Sequence, residues 1–135
     1  QLADKIAIVT GASSGIGRAA ALLFAREGAK LIVAGRRRNE LDRLVDEIEK
    51  EGGEAIAIDG DVTDEAHAKA LVDGAISHFG GLDIAFNNAG KVGDMKPAQD
   101  HTRAEWSDVI DANLTSAFLC AKHQIPAMIA RGGGR

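Results

Sequence analysis

The sequence is poor in several residue types, and each shortage narrows the class of protein. Its 135 residues include one cysteine, Cys120, so no internal disulfide forms, which favours a reducing compartment. No apolar run reaches the roughly 18 residues of a membrane span. The N-terminal residues lack the basic and apolar regions of a signal peptide. These shortages predict a cytoplasmic protein with no membrane partner.

Charge and histidine placement exclude two further classes of site. The 16 Lys and Arg against 20 Asp and Glu leave a net charge of −4, which gives no reason to expect a nucleic acid partner. The four histidines and Cys120 show no metal-ligand spacing, so no metal site is predicted. His67 and His78 fall in a charged helical segment, and we expect both to be exposed.

Strand and helix patterns alternate along the chain. Strands are predicted from short apolar runs at residues 5–10, 30–34, 54–58 and 82–86. Helices are predicted from apolar spacing at residues 15–27, 39–51, 64–79 and 102–130. In the first helix the core face is expected to include Ile16 and Leu23, and Asn39 is expected to cap the second. Thr102 and Glu105 have the spacing of a capping box, and Pro126 is expected to bend the last helix.

This β-α-β-α-β-α-β-α order predicts an α/β fold. Strand–helix–strand units cross over right-handed, so the strands should be parallel with helices on both faces. We therefore expect a Rossmann-type doubly wound sheet of order 3-2-1-4, ending after the fourth strand and its following helix. The predicted domain is a dinucleotide-binding unit over residues 1–135, with its ligand at the carboxyl ends of the strands.

The glycine-rich stretch TGASSGIG, residues 10–17, follows the first strand and opens the first helix. In that context Gly11 permits a tight turn and Gly15 lets a pyrophosphate approach the helix N-terminus. Gly17 lets helix and strand pack closely. No GK[ST] follows, which excludes a P-loop. The alternative is a glycine-rich turn that binds nothing.

Four segments in this order resemble the motifs of the short-chain dehydrogenases/reductases. TGASSGIG is similar to the family's TGxxxGxG fingerprint, and NNAG at 87–90 to its second motif. GDV at 60–62 resembles the segment with the adenine-side Asp, and Asn113 in DANLTSAF resembles the family's helix asparagine. The resemblance covers the whole chain, which corresponds to the N-terminal half of the family fold.

The resemblance implies a function and a set of contacts. The expected activity is hydride transfer between a nicotinamide cofactor and a small-molecule alcohol or ketone. A homo-oligomer, dimer or tetramer, is expected, with the helix after Thr102 at one interface. Ser13 would face the adenosine ribose, and the Ile16 backbone would meet the pyrophosphate. The other side of the cofactor would be lined by Asn88, Ala89 and Gly90, whereas Asn87 would tie strands together.

On the adenine side, the resemblance implies that Asp61 accepts a hydrogen bond from the adenine amino group, with the Val62 backbone beside it. Helix capping near Thr63 is the alternative for Asp61. The second strand ends in AGRRR, with no carboxylate for a ribose 2′-hydroxyl.

Arginine suits a 2′-phosphate, so NADP(H) is preferred over NAD(H). Arg36 is the first choice for the phosphate and Arg37 the second, whereas Arg38 is expected to face solvent. Ser14 would add a hydroxyl on the phosphate side. The alternative for the three arginines is a solvated turn.

Asn113 is the one catalytic residue that the resemblance carries onto this chain. In the family it bends the helix, holds a water and extends a proton relay; the alternative is a structural polar contact in the core. Trp106, on the same face of the helix, is expected in the core rather than as a stacking platform. The family's other catalytic groups are a serine and a Tyr-x-x-x-Lys motif, and these 135 residues contain no tyrosine. We therefore expect a cofactor-binding half that is inactive alone. The alternative function is a non-catalytic dinucleotide-binding module or sensor.

Overall fold

The computed structural model describes all residues from Gln1 to Arg135. The strands are β1 (Ile6–Thr10), β2 (Lys30–Gly35), β3 (Glu54–Asp59) and β4 (Ile84–Phe86). The helices are α1 (Gly15–Arg26), α2 (Arg38–Lys50), α3 (Glu65–Phe79), α4 (Arg103–Ile110) and α5 (Ser116–Ala130). A 3₁₀ turn at Ala98–Asp100 precedes α4, and a π-helical turn at Asp111–Thr115 joins α4 to α5.

The four strands form one parallel sheet in the order β3-β2-β1-β4. Ala7 of β1 pairs with Leu31 of β2 on one side and with Ile84 of β4 on the other. The predicted α/β class, parallel pairing and strand order are therefore confirmed. The direction of the crossovers changes between β1 and β4, which is where open α/β sheets bind ligands.

Apolar side chains fill both faces of the sheet, as expected for parallel strands between two helical layers. One core lies under α1 and α2 and includes Val9, Leu31, Val33, Leu41, Leu44 and Ile48. The other lies under α3, with α5 at its margin, and includes Ile6, Ile8, Ile32, Leu71, Val72 and Leu82. None of the helices combines the length and apolar composition needed to cross a bilayer.

Some of the predicted helix ends are confirmed and others are wrong. The Thr102–Glu105 capping box is present, so α4 begins as predicted. Helix α2 begins at Arg38 without a side-chain cap, so the predicted Asn39 cap is wrong. The departure from regular α geometry lies at Asp111–Thr115, whereas Pro126 lies inside α5.

The faces of two helices differ from expectation. Helix α1 buries Gly17 and Ala21, while Ile16 is 74% exposed and Leu23 is 55% exposed. Ala21 lies in the core beneath this helix, and Leu22, Phe24 and Ala25 pack against the same core. The predicted core position of Trp106 is also wrong, because its residue is 65% exposed.

Strand β4 forms one edge of the sheet, is shorter than the predicted strand and is half-buried. The Arg135 N–H donates to the Asp83 carbonyl at 3.0 Å, and the Ala85 N–H donates to the Arg135 carbonyl at 2.8 Å. This pair of backbone hydrogen bonds is that of a parallel bridge between Arg135 and the start of β4.

Candidate cofactor-binding site

A cleft of about 620 Å³ lies at the carboxyl ends of the strands. Ten of the predicted site residues line it: Gly11, Ser13, Ser14, Arg36, Arg37, Asp61, Val62, Asn88, Ala89 and Gly90. Gly15, Ile16 and Gly17 lie beside it in the first turn of α1, and Asn113 lies behind Gly90. Four separate loops are therefore brought to one place, and each follows one strand of the sheet.

The loop between β1 and α1 is packed against the segment after β4. Gly11 has a φ of +66°, and a Cβ there would lie 3.0 Å from the Ala89 Cα atom. A Cβ on Gly17 would lie 2.3 Å from the Gly11 carbonyl oxygen and 2.6 Å from Asn88 Nδ2. Gly17 thus allows close packing, but against the loop and Asn88 rather than against a strand.

The N-terminus of α1 is open beside the cleft. Ser14 occupies the N-cap position with no side-chain capping bond. The first N–H groups of a helix have no partner inside it, and they favour an anion. Gly15 has a φ of +57° and no atom within 4 Å of its Cβ position. The first turn therefore has both the donors and the space for a phosphate group.

Side chains after β4 hold β1 and β4 in register. Asn88 Nδ2 donates to the Thr10 carbonyl at 3.1 Å, and the Ala89 N–H donates to Thr10 Oγ1 at 3.0 Å. Asn87 instead exchanges two 2.9 Å hydrogen bonds with Gln124 of α5. The prediction that Asn87 ties the strands is wrong, because Asn88 does so.

The three arginines after β2 have different surroundings. Arg36 lines the cleft and makes no hydrogen bond or ion pair with the protein. Arg37 Nη2 donates to Ser13 Oγ at 3.2 Å, so its side chain lies over the glycine-rich loop. Arg38 is half-exposed but paired, since its guanidinium contacts Asp42 at 2.8 Å and Asp59 at 3.1 Å.

Asp61 lies in the cleft at the start of the loop into α3. Its Oδ1 accepts from the Thr63 N–H at 2.9 Å and from Thr63 Oγ1 at 2.7 Å. These bonds, with a smaller contribution from the Arg36 charge, hold the pKa of Asp61 below its usual range. Asp64, not Asp61, caps α3 through the Ala66 N–H. Asp61 Oδ2 makes no hydrogen bond within the protein.

Asn113 lies in the π-helical turn and is exposed rather than in the core. Its Nδ2 donates to the carbonyls of Lys91 and Val109, each at 2.8 Å, and its Oδ1 accepts from the Lys91 N–H at 3.2 Å. A Cβ on Gly90 would lie 2.4 Å from Asn113 Oδ1. Asn113 thereby fixes the backbone of the segment that follows NNAG.

Sequence reasoning missed several residues of the cleft. Its lining also includes Gly35, Gly60, Thr63, Lys91, Asp108 and Ala112. Lys91 and Asp108 form an ion pair between the loop after β4 and α4. The sequence gives no local signal for that pair, because its members are brought together only when α4 packs beside the loop.

His67 is buried behind Gly60, so the prediction that it is exposed is wrong. No group of three His, Cys, Asp or Glu side chains lies close enough to hold a metal ion.

Comparisons with known proteins agree with this architecture. The family model for the short chain dehydrogenase matches residues 5–135. Cyclohexanol dehydrogenase of Acinetobacter sp. (strain SE19) is 39% identical over 131 residues, which are 97% of this chain and 52% of that enzyme. The chain thus spans about half the length of the curated relatives it matches.

Two solved structures superpose closely. A 3-ketoacyl-ACP reductase from Sinorhizobium meliloti 1021 has a TM-score of 0.92 at 42% identity, covering 96% of this chain and 51% of its own. A metagenomic short-chain oxidoreductase in complex with NADP has a TM-score of 0.92 at 34% identity, covering 98% of this chain and 60% of its own.

Proposed function

Because the chain belongs to the short-chain dehydrogenase family, we propose that its cleft binds NADP(H). We further propose that the whole protein transfers hydride between this cofactor and an alcohol or ketone. A bound nicotinamide supplies the hydride, and the residues of this chain bind and orient the dinucleotide. NAD(H) is the alternative cofactor.

The preference for NADP(H) rests on Arg36, which lines the cleft and has no protein partner there. The AGRRR end of β2 contains no carboxylate of the kind that NAD-binding folds use for the ribose. A free guanidinium binds a 2′-phosphate through two hydrogen bonds. Arg37 contacts Ser13, which leaves it the second ligand in this proposal.

The remaining contacts follow from the positions of the loops. The N–H groups at Gly15, Ile16 and Gly17 receive the pyrophosphate at the open helix N-terminus. Asp61 Oδ2 is free to accept from the adenine amino group, beside Val62. The segment Asn88–Gly90 forms the opposite wall, held against Thr10.

We propose that Asn113 acts chiefly by holding the Gly90–Lys91 backbone at the nicotinamide end. Both of its N–H donors are used within the protein, and only one Oδ1 lone pair remains for a water. A role in proton transfer would therefore pass through that lone pair. These 135 residues contain no tyrosine, so we expect them to bind cofactor without turning over substrate.

Binding of NADPH and NADH, followed by cofactor fluorescence, tests this function. We expect NADPH to bind more tightly, and Arg36→Asp to abolish the preference by lowering NADPH affinity about 10- to 100-fold, as expected for lost charge-assisted bonds. The control is Arg43→Asp, which changes the net charge equally at an exposed site outside the cleft. Equal loss in both variants would contradict the assignment of Arg36.

We also propose a homo-oligomer that uses α5. Its exposed apolar residues are spaced along one face and comprise Phe118, Ile125 and Ile129, each at least 53% exposed. Light scattering should give a mass above that of one chain, and Phe118→Glu should lower it. A monomeric parent protein would contradict this assembly.

A further inference from the structure

His67 is packed behind the wall of the cleft. It lies in the first turn of α3 and is only 8% exposed. A Cβ on Gly60 would lie 2.3 Å from His67 Nδ1 and 2.7 Å from its Cε1 and Cγ atoms. The imidazole ring therefore packs directly against the Gly60 backbone and occupies the space that a side chain at position 60 would need.

Gly60 connects that ring to two parts of the cleft. Its N–H donates to the carbonyl of Gly35, the last residue of β2 and the residue before Arg36, at 3.0 Å. Asp61 follows it in the chain, and both residues line the cleft. A shift of the ring would therefore move the Gly60–Asp61 turn and disturb the end of β2.

The position of the ring suits neutral imidazole and not imidazolium. His67 Nε2 is buried and has no hydrogen-bond partner. When the neutral ring carries its proton on Nδ1, Nε2 is an unfilled acceptor, whereas protonation makes Nε2 an N–H donor with no hydrogen-bond partner. Such a buried donor is costly, so protonation requires the ring or the Gly60 backbone to move.

The charged groups around His67 are three carboxylates, Asp59, Asp61 and Asp64. One oxygen of each is engaged, by the Arg38 guanidinium, by Thr63 and by the Ala66 N–H respectively, and none of the three carboxylates is hydrogen-bonded to His67 Nε2. Arg36 adds a positive charge beside Asp61. Burial outweighs the attraction of the carboxylates, so the pKa of His67 lies below its usual range and the ring is neutral at pH 7.

We propose that His67 is a positioning residue for the dinucleotide: its neutral ring holds the Gly60–Asp61 turn in the binding conformation, and protonation of that ring weakens binding. This inference rests on the proposed function, because it requires a dinucleotide in the cleft. Linkage is reciprocal, so bound dinucleotide lowers the proton affinity of His67.

The test is the dissociation constant of NAD⁺, measured from pH 8 to pH 5 in the unsubstituted chain (the parent chain), in His67→Phe and in His78→Phe. NAD⁺ is chosen because it lacks the 2′-phosphate, a group that would itself titrate near pH ~6. His78 is an exposed residue of the same helix and serves as the control. NAD⁺ binding is followed by chemical-shift changes in the protein.

The parent chain and His78→Phe should lose affinity as the pH falls through the pKa of His67, approaching about tenfold per pH unit. The affinity of His67→Phe should fall less steeply than that of the other two proteins. The same fall in all three proteins would overturn the inference while leaving the proposed function intact. No binding of NAD⁺ or of NADPH at any pH would overturn both.

A second measurement covers a His67→Phe variant that does not fold. The titration of the His67 ring is followed by NMR in the parent chain, with and without saturating NAD⁺. We expect the bound form to titrate at lower pH. An unchanged midpoint in a chain that binds NAD⁺ would overturn the inference.

Discussion

Replacing Gly17 by alanine places a Cβ 2.3 Å from the Gly11 carbonyl oxygen and 2.6 Å from Asn88 Nδ2. Ordinary C···O contacts begin near ~3.3 Å, so the carbonyl would have to recede by about 1 Å. It cannot do so freely, because the next residue, Ala12, donates its N–H to the Ala34 carbonyl at 2.9 Å. Asn88 is likewise held, by its bond to Thr10.

The expected loss of stability follows from these contacts. Overpacking against fixed neighbours costs about 3 kcal/mol at the upper end of its usual range. Alanine returns about 1 kcal/mol in a helix relative to glycine. The net loss in the free energy of unfolding is therefore about 2 kcal/mol, or a fall in Tm of about 6–10 °C for a chain of this size.

Urea unfolding followed by circular dichroism measures this loss, with Gly15→Ala as the matched control. Gly15 has no atom within 4 Å of its Cβ position, so only its φ of +57° opposes alanine, at about 1 kcal/mol. Gly17→Ala should therefore be the more destabilised variant. A Gly17→Ala chain as stable as the parent, or more stable than Gly15→Ala, would refute the packing account of this loop.

Three other predictions concern side chains around the site. Arg38→Ala should leave the ratio of NADPH to NADH affinity unchanged in fluorescence titrations, because Arg38 is paired with protein carboxylates. Loss of the preference for NADPH in this variant would contradict the assignment of the 2′-phosphate to Arg36. Asn87→Ala should cost about 1–3 kcal/mol in urea unfolding, because it leaves the buried Gln124 amide unpaired; no loss would contradict that pair. The pKa of Glu105 is held at about 2, chiefly by the hydrogen bond from Lys96, so the stability that the ionised form provides is present above pH 4.5 and lost as pH falls toward 2. As pH falls from 4.5 toward 2, the Tm of Glu105→Gln should fall less steeply than the Tm of the parent chain. An equally steep fall in both would contradict this account of Glu105.

The sheet and the loops at its carboxyl ends could be predicted from the sequence. The alternation of strand and helix periods predicted a parallel sheet of order 3-2-1-4, which the structure has. The glycines at 11, 15 and 17 occur where the chain turns from strand to helix. The motif positions then brought four loops to one edge because parallel strands end together. The strand order and the meeting of the four loops could therefore be predicted from short sequence patterns.

Side-chain environments were harder to predict. His67 stands among acidic residues and appeared suited to solvent, but Gly60 leaves room for its ring. Leu23 has the spacing of a core residue but is 55% exposed, because α1 contacts the core through Ala21, with Leu22, Phe24 and Ala25 packed beside it. The π-helical turn at Asp111–Thr115 has no sequence signature of its own; Asn113 stabilises it by bonding to the Val109 carbonyl.

The central claim is that these residues form a dinucleotide site, and an NMR titration of the isotopically labelled chain with NADPH tests it most directly. The account predicts that the largest amide shifts fall at the glycine-rich loop, at Arg36, at Asp61 and Val62, and at Asn88 to Gly90. The same titration of Arg36→Asp should require far more NADPH. Shifts confined to another surface, or no shifts at millimolar NADPH, would contradict the account.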